Sequence, residues 1–158
     1  MYQRADIAYV YDGTFDGLMC AIFASYEYRE IPASIESANS GQMTLYPVKT
    51  IPTETQKAAR VRRGILNKCG RAVYDLTQNG FYTCVAEKEL LICRFVHIAM
   101  ENGAKTLSML TDDTVSALQN AVRALEREAH QYRGFVRFSI HGNVMIAVIE
   151  PKNDALAL

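Results

Sequence analysis

The chain has 158 residues, 49% of them hydrophobic and 22% charged, and its seventeen basic side chains are balanced by seventeen acidic ones. That length suffices for one domain with a real core. The neutral balance excludes a whole-chain field that draws in nucleic acid, so any such binding needs a local basic patch. No apolar run approaches the ~18–20 residues that span a bilayer, and "MYQRADIAYV" lacks the layout of a signal peptide. The expectation is a cytoplasmic protein with no membrane partner. Cys20, Cys69, Cys84 and Cys93 form no C-x-x-C pair and no common zinc pattern, so they read as free thiols.

The first element is "DIAYVY", residues 6–11, rich in β-formers and expected as a strand. From Phe15 the apolar residues Phe15, Leu18, Met19, Ile22, Phe23 and Tyr26 follow helical spacing. In "REIPASIE", Pro32 reads as the stop of that helix. "SANSGQ" is a turn or loop, and "MTLYPVKTI", residues 43–51, is extended with Pro47 marking an edge. Thr53-x-x-Gln56 has the form of a capping box for a helix that turns Ala58, Val61, Ile65 and Cys69 inward. Gly70 bends or breaks this helix. "RAVYDLTQNG" is a short further helix stopped at Asn79-Gly80.

"AEKELLICRFVHIAMENG" is apolar around most of its circumference, so it should be the central helix, with Gly103 as its C-cap. "TDDTVSALQNAVRALEREAHQYRG" carries a clear three–four apolar repeat, capped by Thr111 or Asp112 and closed by Gly134. "FVRFSIHGNVMIAVIEP" reads as a hairpin turning at His141-Gly142-Asn143. The tail "EPKNDALAL" opens an apolar pattern with nothing to pack it, as if residues 1–158 were a single domain cut before further C-terminal elements.

Three places could carry chemistry. At "YVYDGTFDG", Asp12-Gly13 can make a tight turn, and Asp12 or Thr14 can cap the helix while Asp16 favours its positive end. The same residues could form a polar site at a strand's carboxyl end. Gly17, costly in a first helical turn, points to a close approach by another element or a ligand. Second, residues 54–71 hold six Lys or Arg and one acid. Arg60, Arg62, Arg63, Lys68 and Arg71 could meet phosphates, or form a solvated face.

Third, "LEREAHQYRGFVRF" puts Glu126, His130 and Arg133 on one helix flank and Glu128 on the other. In an extended continuation, Phe135, Arg137, Ser139 and His141 share one face, and Val136, Phe138 and Ile140 the other. Arg133 and Arg137 among aromatic residues could grip phosphate or stack on bases; cations at a helix's negative end explain part of the pattern equally well. Cys93 and His97, four apart, read as core packing, and no metal ligand set or cofactor motif is evident.

"YVYDGTFDGLMCAIF", "REAHQYRGFVRF" and "VIEPKNDALAL" together resemble a bacterial DNA metabolism or DNA repair family. It is an uncharacterised domain found beside a radical SAM protein and sometimes fused to a uracil-DNA glycosylase-like domain. The family pattern falls on Tyr11, Asp12, Gly13 and Gly17, then on Glu128, His130, Gly134, Phe135, Arg137 and Phe138. The resemblance implies an accessory role in DNA metabolism, with DNA and a radical SAM protein as partners. The alternatives are an enzyme using Asp12, Glu128 and His130 as acid–base groups, and a protein-interaction module without DNA contact. The expected fold is α+β. The strand at 6–11 and a hairpin at 134–149 should share one small, largely antiparallel sheet, with four to five helices packed mainly on one face.

Overall fold

The computed structural model describes residues 2–41 and 44–158. Its first strand, β1 (Gln3–Tyr11), is central: the sheet order is β2-β1-β3, and both ladders are parallel. β2 (Glu30–Ser37) returns beside β1 through helix α1 (Phe15–Tyr28), a βαβ unit, and β3 (Val48–Thr50) lies on the other side. The antiparallel sheet expected from the sequence is therefore not the one formed. Both neighbours of β1 come from the first third of the chain, so no edge of β1 is left for the C-terminal hairpin. That hairpin, β4 (Ser139–His141) with β5 (Val144–Ile146), stands as a separate two-stranded sheet.

β2 is the element that the sequence reading missed. Pro32 does not stop α1. The helix ends earlier, at Arg29, whose left-handed backbone (φ 55°) lets its N–H donate to Ser25 and Tyr26 carbonyls. Pro32 then sits within an edge strand, where a residue without an N–H is tolerated, and the β1–β2 register shifts beside it, between Ala5 and Ala8. β3 matches the extended edge expected after Pro47; Met43, the first residue of that stretch, and Gln42, the last of the loop before it, lie outside the described residues.

Helices α2 (Thr55–Cys69), α3 (Arg71–Phe81), α4 (Lys88–Asn102) and α5 (Asp113–Phe135) follow, with a 3-10 turn over Gly103–Ser108. Tyr9, Tyr11, Leu18, Ile22, Ile65, Ile92, Phe95, Val115 and Leu118 belong to one buried core, with α4 at its centre as its all-round apolar pattern predicts. Gly80 does not stop α3. It is buried in the last turn, and a Cβ there would stand 2.7 Å from Leu118, so α5 can pack close only over a glycine. Asp112, rather than Thr111, caps α5, its carboxylate accepting from the N–H groups of Thr114 and Val115. α5 runs through Gly134 to Phe135 instead of closing at the glycine.

The tail is packed, contrary to expectation. Ala155 is buried against Leu125 and Ala129, beside Tyr82 and Tyr132, in a small second core. Leu156 and Leu158 remain exposed. Among the described residues no helix is long and apolar enough to cross a membrane.

Candidate functional site

β1 ends at Tyr11, and the next residue, Asp12, is exposed at the carboxyl end of the central strand. One Asp12 carboxylate oxygen accepts from the Thr14 N–H at 2.9 Å and the Thr14 hydroxyl at 2.7 Å. The other accepts from the Thr53 hydroxyl at 2.7 Å. These bonds, led by the Thr14 hydroxyl, hold the Asp12 carboxyl below its usual range. The Thr14 side chain is the cap of α1 and accepts from the Gly17 N–H at 2.9 Å. Gly17 is the close approach that its cost implied: a Cβ there would collide with the Asp12 carboxylate and stand 3.0 Å from the Thr53 hydroxyl. Thr53 does not form the expected capping box. α2 begins after Glu54 with no side-chain cap, because the Thr53 hydroxyl is committed to Asp12.

The result is a cross-brace between the ends of β1 and β3, the point where the chain's strand order changes direction. Open parallel sheets place ligands at such points, outside the carboxyl ends of their strands. Beside it, Arg62 of α2 pairs with Asp16 of α1 at 3.1 Å, and the Tyr11 hydroxyl donates to Glu89 of α4 at 3.1 Å.

The basic helix is partly self-neutralised. Lys57 pairs with Glu54, Arg62 with Asp16, and Arg71 with Asp75, while the Arg60 guanidinium lies 5.8 Å from the Phe23 ring centre. Arg63 and Lys68 are exposed, and among the described residues no ion pair engages them. Arg133 donates to the Leu158 carbonyl at 2.7 Å, tying the end of α5 to the tail. Arg137 is exposed on the arm that follows α5, in a shallow groove with Tyr132, Phe135, Val148 and Glu150. The face alternation expected from Phe135 onward does not hold, since Phe135 is still helical and the strand starts at Ser139. Phe135, Phe138, Ile140 and Val148 are all exposed.

Glu128 and His130 do not join Asp12 through a shared sheet, because that sheet does not form. Glu128 is a clasp: its carboxylate accepts from the N–H groups of Lys152 and Asn153 and from the Asn153 side-chain amide, at 2.6–2.9 Å. Those bonds, the Lys152 N–H first, hold its carboxyl below the usual range. Asn153 in turn accepts from the Cys84 N–H, and the Asp154 N–H donates to Tyr82, so the tail bridges α5 and the α3–α4 connection. His130 is exposed.

A buried polar cluster lies where the sequence suggested only packing. The Ser25 hydroxyl donates to the Ile22 carbonyl at 2.7 Å and stands 2.8 Å from His97 Nε2. His97 Nδ1 is buried without a hydrogen-bond partner among the described residues, and the ring stacks on Tyr26 at 4.1 Å. Burial lowers the His97 pKa to about 4 and pushes the Cys93 thiol up to about 12. Cys93 is therefore an inert core thiol, as expected. Among the described residues no group of three His, Cys, Asp or Glu side chains is placed to hold a metal ion.

A family model described as a domain of unknown function, DUF4130, matches residues 86–158. The matched stretch takes in α4, α5, the hairpin and the clasped tail, and it leaves out the three-stranded sheet. Of the resemblance read from the sequence, this uncharacterised domain is the part found again, and its description names neither DNA nor a partner. No curated protein and no solved structure matches the chain.

Proposed function

We propose that the chain is an accessory protein of DNA metabolism or repair that binds nucleic acid through its C-terminal arm. The observation that carries this reading is the exposure of Phe135, Arg137 and Phe138 around the passage from α5 into the hairpin, with none of them used in either core. Exposed rings can stack on unpaired bases, and an arginine between them can grip the backbone. Arg63 and Lys68 add charge for phosphates. Arg62, Arg71 and Arg133 are engaged within the chain and contribute less. The family resemblance adds a radical SAM protein as the working partner.

Fluorescence anisotropy with single- and double-stranded oligonucleotides across a salt series tests the reading. Affinity should fall steeply with salt, and Arg137→Ala should weaken binding alike for all sequences while reducing the salt slope by about one. Phe138→Ala should cost single-strand binding about 1–3 kcal/mol if it stacks on a base. No binding at low salt would end this reading and turn attention to the partner protein.

The position of Asp12 favours a second reading, an enzyme whose polar site lies at the carboxyl ends of β1 and β3. A carboxyl held ionised would serve there as an acceptor for a ligand's hydroxyl or amine, not as an acid. Asp12→Asn should then abolish turnover, whereas Thr53→Val, which loosens the same brace, should leave turnover in place.

A further inference from the structure

A cavity of about 490 Å³ opens between α1, α2 and α4, within the size range of small-molecule sites. Phe23, Tyr26, Val61 and Met100 are among its walls, with Arg60 and Glu27 also lining it. Gly64 of α2 lines it as well and gives the first reason to take it seriously. A glycine inside a helix costs about 1 kcal/mol relative to alanine. At Gly17 and Gly80 tight packing explains that cost, because an added Cβ would collide. At Gly64 it would meet only the Met100 methyl, at an ordinary 3.7 Å. Packing does not require this glycine; what its missing side chain provides is open space in the cavity.

Charge gives the second reason. Arg60 is exposed, and among the described residues no carboxylate pairs with it. Its guanidinium rests near the Phe23 ring, at the cavity. Glu27 shares the rim, while the nearby Lys57 is paired with Glu54. Tyr26 adds an aromatic wall held in place by stacking on His97 at 4.1 Å.

We propose that this cavity binds a small anionic amphiphile, an apolar body seated against Phe23, Tyr26 and Met100 with one carboxylate, sulfonate or phosphate received by Arg60. The site is separate from the arm assigned to nucleic acid, and it stands or falls independently of that reading.

The test uses the whole chain, with decanoate in calorimetry and 8-anilinonaphthalene-1-sulfonate in fluorescence. Both should bind saturably at one shared site, each displacing the other. Gly64→Leu fills the space from a helical position and should weaken both at least tenfold while the melting temperature stays equal or rises. Arg60→Glu, an exposed change, should weaken decanoate at least fivefold and leave decanol unaffected. Ile146→Ser, on the exposed hairpin, should leave decanoate affinity unchanged. The proposal is overturned if neither compound binds saturably, if Gly64→Leu and Arg60→Glu bind as the parent does, or if Ile146→Ser removes the binding. Equal affinity for decanol and decanoate in the parent would overturn the anionic part. Should Gly64→Leu fail to fold by circular dichroism, Arg60→Glu alone decides.

Discussion

An added methyl group at Gly17 would reach three groups at once: the Asp12 carboxylate, the Tyr11 ring at 2.9 Å and the Thr53 hydroxyl at 3.0 Å. Helix propensity alone favours Gly17→Ala by up to about 1 kcal/mol. Overpacking costs about 1–3 kcal/mol, and Asp12 would also have to leave Thr14 and Thr53. The variant should therefore be less stable by about 1–2 kcal/mol in urea unfolding. A gain in stability would show that Asp12 moves aside freely and that the brace is weak. The junction's residue types were readable as a turn and a cap, and Thr14 does cap α1. The partner was not readable: Thr53 lies 41 positions away and carried a local capping pattern of its own. One hydroxyl cannot serve both uses, and local spacing says nothing about which wins.

At the scale of elements, helices were legible because three–four spacing is a local signal that burial then fulfils. Ala58, Ile65 and Cys69 of α2, and Val115, Leu118 and Leu125 of α5, are buried as their spacing required. Strand pairing is not local: nothing near residues 48–50 says that they pair with β1, and Pro32 hides β2. Pro32 reads as a stop in a helix and as an edge in a sheet, and only the position of β1 decides between the two. Glu128 shows the same limit, since its spacing gave a helix flank and its use lies in the tail. Glu128→Ala should free residues 152–155, with faster amide exchange at Asn153 and Ala155 and early proteolytic trimming of the tail. Protection unchanged from the parent would mean that Ala155 packing alone holds the tail. Because the bonds lower the Glu128 pKa, the clasp should also weaken as pH falls through the carboxylate range.

For the molecule as a whole, His97 links stability to pH. An unfolded histidine binds its proton near pH 6.5, whereas burial delays this in the folded chain to about pH 4. Between these values the unfolded state holds more protons, so stability is fully present above pH 6.5 and falls as the solution is acidified. The linkage amounts to about 2 kcal/mol at pH 5 and about 3 kcal/mol at pH 4. Urea midpoints measured from pH 7.5 to 5 should fall accordingly, and His97→Gln should flatten the decline. A parent curve as flat as that of the variant would mean that His97 is more solvated than its buried place between Tyr2, Tyr26 and Ser25 implies.

Of the described strands, the central one is also the first to be made. A nascent chain carries β1 out of the ribosome with both of its edges bare. β2 closes one edge once residue 37 has emerged, and β3 the other at residue 50. Even then Tyr11 has only water for its hydroxyl until Glu89 arrives, and the core begun by α1 waits for Ile92, Cys93 and Phe95. Synthesis thus passes through an interval in which the paired sheet carries α1 but not yet α4, leaving apolar surface open of the kind that sticks to its neighbours. The helix that completes the cover comes from the other half of the chain, so the core closes only after residues 88–102 have been made.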